Sequence, residues 1–261
     1  MEISPAAFVQ KGAQLGKGVK IGPGACIGEK VQIGDGTEVG AFSIIEGKVS
    51  IGSNCFIGHH VVIGTPPQDV SYQGEETEVI IGDDTILREF TTVHRATGEG
   101  QKTLVGPGCF IMAYAHVAHN CQIGKEVTMA NGANLAGYVK IENWAVLSGM
   151  VGVHQFVRVG KLAMVGGLSK VVQDIPPYLM ADGHPARLYG LNLVGMKRRG
   201  IEREARVEIR KIYRFLRSSR NQEQALSQLE SHFSSDFSRE ILNFFAQTER
   251  GITRWVGTKD D

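Results

Sequence analysis

Residues 9–64 read VQKGAQLGKGVKIGPGACIGEKVQIGDGTEVGAFSIIEGKVSIGSNCFIGHHVVIG, and every sixth position is aliphatic: Val9, Leu15, Ile21, Ile27, Ile33, Val39, Ile45, Ile51, Ile57 and Ile63. The same phase resumes at Ile81, Leu87 and Val93 and runs again from Val105 to Val171. Of the 28 positions from 9 to 171 in this phase, 25 are aliphatic; Asp69, Glu75 and Glu99 are not. A helix cannot use a strict period of six, because 3.6 residues per turn would rotate the stripe by about 240° at each step. Short strands separated by turns can, and hexapeptide repeats are the mark of a parallel β-helix, in which stacked coils share one apolar core. Glycine often follows the aliphatic residue (Gly22, Gly28, Gly34, Gly52, Gly58, Gly82, Gly106, Gly124), where a turn needs φ > 0 or two backbones approach closely. These positions explain much of an unusual total of 33 glycines.

With three hexads to a coil, residues i and i+18 lie one above the other, and the repeat makes roughly nine coils in a prism about 45 Å long. Periodicity does not decide the hand of winding; the general rule for crossovers would give right-handed. Two polar, Gly/Pro-bearing interruptions, residues 64–80 and 94–104, read as loops leaving the prism. Both preserve the hexad phase, so each is expected to leave the core undisturbed. The period ends at Ile175, Pro176 and Pro177. Ile201, Ala205, Ile209, Ile212 and Leu216 then recur at helical spacing, with shorter helices expected around 222–232 and 236–249. The expected organisation is a mainly β, parallel β-helix domain over 1–185, a C-terminal α-helical domain over 186–252, and a tail over 253–261.

Charge and cysteine usage narrow the function. With 28 Lys+Arg against 27 Asp+Glu, the chain lacks the basic excess of a general polyanion binder. The balance is uneven, however: from Arg187 onward there are 15 basic and 10 acidic residues, and residues 197–220 alone hold ten basic against three acidic. Such a helix is either a solvated face laced by Glu–Arg pairs or a dock for an acidic protein or a phosphate. No basic-then-apolar leader and no run of about 18 apolar residues occurs, so a cytoplasmic protein is expected. Cys26, Cys55, Cys109 and Cys121 form no CxxC pair. The last three share one repeat position, which favours small buried thiols over disulfides or zinc.

Candidate chemistry lies in the stretch AYAHVAHNCQIG, which carries His116 and His119. Stepping by 18 from His119 gives Gly137 and then Gln155: a base, a backbone N–H free of side-chain shielding, and an amide, at steps of about 5 Å. Acyl transfer needs a base for a hydroxyl proton and a donor at the developing oxyanion. No serine-centred nucleophile elbow is present, so direct attack by the acceptor hydroxyl is more economical than an acyl-enzyme. A three-histidine zinc site, with His59, His60, His94 or His154 as third ligand, is the competing use, and two histidines without a recognisable third ligand argue weakly for it. The expected metal set is therefore none.

GTPPQDVSYQGE, HRATGEG, AHVAHNCQIG, NLAGYV, GMVGVHQFVRVG, IPPY and GLNLVGMKRRG, in this order, closely resemble the UDP-N-acetylglucosamine O-acyltransferase family over residues 3–252. The resemblance implies a left-handed β-helix, a homotrimer with sites between neighbouring prisms, a UDP-N-acetylglucosamine acceptor, and a 3-hydroxyacyl thioester delivered on acyl carrier protein. No cofactor beyond that phosphopantetheine thioester is implied. The implied reaction is acylation of the sugar 3-hydroxyl, the first step of lipid A synthesis; N-acyl transfer to an amino or diamino sugar nucleotide is the alternative. A non-catalytic binding scaffold is a third possibility, and it leaves the His119, Gly137, Gln155 column unexplained. By the resemblance His119 is the general base and Gly137 the oxyanion N–H. Asp69, His116, Tyr138, His154 and Gln155 fall among sugar and pantetheine contacts. Asn192, Arg198 and Arg199 match the residues holding the uridine diphosphate, where guanidinium groups suit phosphate oxygens. Gly167 matches the position limiting acyl-chain depth and implies a chain of about twelve to sixteen carbons, each methylene contributing about 0.8 kcal/mol. Lys197, Arg210 and Arg214 would receive the acidic carrier protein. The chain departs from the family pattern at Asn120, usually Asp; at Tyr138, usually His; at Ser71, usually Lys; and at Val194, usually Glu. Asn120 is expected to remove the carboxylate that orients the imidazole, with a backbone carbonyl as the replacement.

Overall fold

The computed structural model describes residues 1–219 and 222–257. Arg220 of the basic stretch and tail residues 258–261 lie outside the described residues.

Two-residue strands, one per hexad, stack in parallel into three flat faces, and their order follows every third strand of the chain. Most partners are 18 residues apart, as in Gln122 with Lys140 and Asn134 with Gly152. The left-handed parallel β-helix that results places the hexad aliphatic residue inward, with Ile57, Leu87, Ile111 and Leu135 almost wholly buried. A second inward position two residues earlier takes small side chains: Cys55, Cys109, Ala115, Cys121 and Ala133 are all buried there. Cys55, Cys109 and Cys121 are free thiols as expected, whereas Cys26 points outward from its strand and is exposed.

The glycines named above after the aliphatic residue serve close approach and not positive φ, whereas Gly64, at the start of the first loop, has φ 83. A Cβ on Gly106 would stand 2.6 Å from the carbonyl carbon of Gly124 in the next coil. The left-handed conformation falls two residues later, at Asn120 (φ 59), Tyr138 (φ 62) and Phe156 (φ 65) on one edge of the prism.

Both loops leave the prism at the same edge, between the second face (Val62–Ile63, Thr92–Val93, His116–Val117, Asn134–Leu135, Gly152–Val153) and the third (Glu78–Ile81, Lys102–Val105, Gln122–Ile123, Lys140–Ile141, Arg158–Val159). Across the first loop, partners are 30 residues apart (Phe56 with Ile86), an insertion of two hexads; across the second, 24 apart (Thr92 with His116), an insertion of one. Whole-hexad insertions keep register, which is why the core pattern survives them.

The prism extends past the expected boundary at 185. Leu179–Gly183 pairs antiparallel with Ala186–Leu191, and this hairpin continues the first face, so the change to helix falls at Asn192. Four helices follow: α1 (Leu193–Arg198), α2 (Arg203–Ser218), α3 (Gln222–His232) and α4 (Asp236–Ala246). They are fastened to the prism by polar as well as apolar contacts. Tyr213 donates to the Pro177 carbonyl (2.7 Å), Glu240 accepts from Tyr178 (2.9 Å) and Lys161 (2.8 Å), and the Arg158 guanidinium lies 4.2 Å from the Phe244 ring centroid. Residues 252–257 are held against the prism. Thr253 is buried, its N–H donates to the Asp174 carbonyl (2.8 Å), and the Val256 N–H donates to the Leu188 carbonyl (3.0 Å), which clips this segment to the prism.

Candidate active site

The second–third edge carries the candidate site because the fold stacks three successive corners there. His119 and Gly137 face each other across one coil: the Tyr138 N–H donates to the His119 carbonyl (3.0 Å), and the Phe156 N–H to that of Gly137 (3.2 Å). The imidazole covers the Gly137 Cα. Tyr138 packs edge-on against His119 with ring centroids 5.3 Å apart and stacks on Phe156 at 4.9 Å. Gln155 and His154, one coil further, are exposed, and His154 Nδ1 lies 3.2 Å from the Gln155 carbonyl.

The partner of the His119 imidazole is the Asn120 side chain itself, and not the backbone carbonyl expected in its place. His119 Nδ1 lies 2.9 Å from Asn120 Oδ1. That amide is held in turn by the second loop: the Thr97 N–H donates to Oδ1 (2.9 Å), and Nδ2 donates to the Thr97 carbonyl (3.0 Å). Asp69, from the first loop, brings Oδ2 to 3.7 Å from His119 Nδ1. Its other oxygen accepts from both the backbone N–H (2.9 Å) and the hydroxyl (2.9 Å) of Ser71, and these bonds hold the carboxyl below its ordinary range.

The two loops form one unit. Glu75 accepts from the Gly98 N–H (2.6 Å), Arg95 Nε donates to the Tyr72 hydroxyl (3.1 Å), and Arg95 Nη1 donates to the Gly64 carbonyl (3.2 Å). Thr97, Glu75, Arg95 and Tyr72 were not legible as site residues, since their contacts join segments that only folding brings together. The three hexads between the insertions (Ile81, Leu87, Val93), one full coil, were the available signal that both depart from the same edge.

His116 sits in the second face, with Nδ1 2.7 Å from Thr92 Oγ1 and its ring edge-on to His94 at 4.9 Å. Burial first, then His94 and His119, push its pKa down to about 4, so it is a neutral hydrogen-bonding group at neutral pH. On the side of the third face, a groove of about 670 Å³ opens beside Asn120, Tyr138, Phe156, Lys102 and Lys140. His59 and His60 lie on another edge, where the Ala41 N–H donates to His59 (2.9 Å) and His60 stacks between Phe42 and Phe90. Among the described residues no group of three His, Cys, Asp or Glu side chains could hold a metal ion.

The remaining candidates lie elsewhere on the same chain. Asn192 is buried and caps α1, accepting from the Gly195 N–H (2.9 Å) and donating to the Leu162 carbonyl (2.9 Å). Arg199 pairs with Glu126, and its guanidinium lies 5.6 Å from the centroid of the Trp144 ring; Glu126, Trp144 and Leu162 stack on the third–first edge. Gly167 lies on the first–second edge, and a Cβ there would meet only ordinary contacts, Gly149 O at 3.4 Å and Ser148 Cβ at 4.0 Å. Lys197, Arg198, Arg210 and Arg214 are exposed on α1 and α2. Arg210, Arg214 and Arg217 rim a 230 Å³ pocket with Tyr189, Leu193 and Trp255. Among the described residues no ion pair within 4.0 Å joins an acid of α2 to an arginine of α2.

Known proteins agree with this geometry. Residues 174–253 match the family model described as UDP N-acetylglucosamine O-acyltransferase, domain 2, and residues 30–65 and 102–137 match bacterial transferase hexapeptide repeats. The chain is 46% identical over 188 residues to a Gloeothece citriformis acyl-(acyl-carrier-protein)-UDP-N-acetylglucosamine O-acyltransferase, covering 72% of this chain and 68% of that protein. It is 41% identical over 205 residues to the Burkholderia mallei protein of the same name, covering 76% and 78%. The Francisella novicida UDP-N-acetylglucosamine acyltransferase structure superposes with a TM-score of 0.94 at 35% identity, covering 98% of this chain and 95% of that one. A continuous hexad prism, a histidine over a glycine at one of its edges and matched relatives at this level of identity place the chain in the acyl-(acyl-carrier-protein)-UDP-N-acetylglucosamine O-acyltransferase family.

Proposed function

We propose that this chain transfers a 3-hydroxyacyl group from the phosphopantetheine thioester of acyl carrier protein to the 3-hydroxyl of UDP-N-acetylglucosamine, the first step of lipid A synthesis, with His119 as general base. The observation that carries it is the His119 imidazole, held at Nδ1 by Asn120 and laid over Gly137, with Nε2 2.5 Å from where a Cβ on that glycine would stand. Nε2 takes the proton of the sugar hydroxyl as the oxygen attacks the thioester carbonyl. The Gly137 N–H, which donates to no backbone carbonyl among the described residues, is positioned for the oxyanion. Collapse breaks the C–S bond, and the departing thiolate takes the proton back from Nε2. His116, neutral at working pH, and Gln155 contribute hydrogen bonds to the substrates, and Tyr138 and His154 flank them.

A homotrimer is part of the proposal. Asn192, Arg198 and Arg199 for the uridine diphosphate, and Gly167 for the acyl chain, lie on other edges than His119, so a neighbouring copy must complete the site. The first–second edge is suited to that contact: Phe42, His60, Phe90 and Tyr114 stack along it with centroids 4.9–5.2 Å apart, and all three non-histidine rings are exposed. The carrier protein, acidic and weakly bound, is assigned to Lys197, Arg210 and Arg214. Among the described residues no helix is long and apolar enough to cross a membrane; cytoplasmic location belongs to the proposal.

The test is mass detection of product from UDP-N-acetylglucosamine and a ladder of 3-hydroxyacyl carrier proteins, with a UDP-diamino sugar as second acceptor. An O-acylated nucleotide that falls by two to four orders of magnitude in His119→Ala supports the assignment. Product from the diamino sugar alone would replace it by N-acylation, and undiminished turnover in the variant would remove His119 as base.

A further inference from the structure

The geometry points to a division of labour around the His119 imidazole: Asn120 fixes its tautomer, and Asp69, reaching in from the first loop, is the positioning residue whose charge balances the imidazolium. The inference rests on the acyl-transfer assignment above and concerns how this chain performs it.

The Asn120 amide has one permitted orientation. Oδ1 accepts from the Thr97 N–H and Nδ2 donates to the Thr97 carbonyl, while the Asn120 N–H donates to Thr103 Oγ1 (2.9 Å). Because Oδ1 is an acceptor, the hydrogen on the 2.9 Å contact to the imidazole sits on Nδ1, and the Nε2 lone pair is free for the sugar hydroxyl. An amide oxygen is neutral, however. It sets the tautomer but does not balance the positive charge that exists between proton uptake from the hydroxyl and proton return to the thiolate.

Of the described groups that face His119, one carries negative charge at neutral pH. Tyr138 packs edge-on, and His94 and His116 both have depressed pKa values, chiefly through burial. Asp69 alone is anionic, with Oδ2 3.7 Å from Nδ1, and among the described residues its one ion-pair partner is His119. Ser71 ties up the other carboxylate oxygen twice, which leaves Oδ2 aimed at the ring. Asn120 and Ser71 are two of the positions at which the chain departs from the pattern it resembles. Without a carboxylate next to the base in sequence, the loop supplies one; without a lysine two residues after Asp69, that carboxylate is not claimed by a cation.

The test is the pH dependence of kcat and kcat/KM for the full chain, Asp69→Asn, Asn120→Asp and the double variant, all near-isosteric. Removing a carboxylate disfavours the protonated imidazole. Asp69→Asn should therefore move the acid limb to lower pH by about one unit and lower kcat about tenfold. Asn120→Asp should move the limb to higher pH, and in that background Asp69→Asn should cost less than about threefold. An unmoved acid limb with only a raised KM for the nucleotide sugar would make Asp69 a sugar contact alone, and equal costs in both backgrounds would equally overturn the inference. 15N NMR should find the Nδ1–H tautomer of His119 in the wild type; an Nε2–H tautomer would overturn the part given to Asn120. His119→Ala separates the two levels: an active His119→Ala sinks the base assignment, whereas an inactive one with an unmoved Asp69→Asn profile sinks only this inference.

Discussion

The His119 imidazole lies directly over Gly137 of the next coil, so close that a Cβ on Gly137 would stand 2.5 Å from Nε2. Glycine at 137 is therefore a requirement of the imidazole's position, and on the proposed mechanism of the oxyanion as well. Gly137→Ala should displace the ring by an ångström or more and lower kcat about a hundredfold, with little change in melting temperature because the inward residues are untouched. Steady-state kinetics beside a thermal melt checks this, and a fully active alanine variant would show that the ring need not rest there.

Burial depresses the His116 pKa to about 4 from its ordinary value of 6.5. For a depressed base the folded state binds fewer protons than the unfolded chain, so its contribution is present above about pH 6.5 and is lost as pH falls toward 4. His94 acts in the same direction. The loss expected from His116 is at most about 3 kcal/mol. Thermal melts should show stability falling across that window, and His116→Gln should flatten the fall.

A side chain at Gly167 would begin in ordinary contact, without a clash, 3.4 Å from the Gly149 carbonyl oxygen. Gly167→Met should fold normally and shift donor preference to shorter chains. Excluding two methylenes would cost about 1.6 kcal/mol, roughly fifteenfold in selectivity. Competition between carrier proteins bearing twelve- and sixteen-carbon chains reads this, and an unchanged ratio would remove Gly167 from the acyl path.

Desolvation pushes the Cys109 and Cys121 thiols up to about 11 and about 12, and Cys55 is buried and raised as well. Since the thiolate is the reactive form, only exposed Cys26 should react with a thiol reagent in the native protein. All four cysteines should react after denaturation. Rapid native labelling of a second thiol would mean that the coils open locally.

Much of the architecture is legible in one dimension because a β-helix repeats one local rule. An aliphatic residue at every sixth position, from Val9 to Val171, specifies strand, turn and inward face together, and the 18-residue step placed Gly137 and Gln155 over His119 without any contact map. The first long helix was readable from its three- and four-residue spacing, and α3 and α4 begin at the expected residues 222 and 236. Boundaries were less legible. Nothing local to Ala186–Leu191 announces that it returns as a strand against Leu179–Gly183, and the residues from Gly251 to Val256 reveal their bond to Asp174 and Leu188 only when the prism is closed.

The residue pattern alone thus determined the prism, its phase through two insertions, and the stacking of His119 on Gly137, because all of these follow from a period along the chain. Tertiary structure decided the rest of the site. Asp69, Thr97 and Asn120 are separated by 28 and 23 residues in sequence, yet they meet at one imidazole, because the loops carrying the first two leave consecutive coils at the same edge. It also decided that Asn192, Arg199 and Gly167 stand on other edges. A triangular prism presents its three edges in different directions, and a period of six does not say which edge will meet which neighbour.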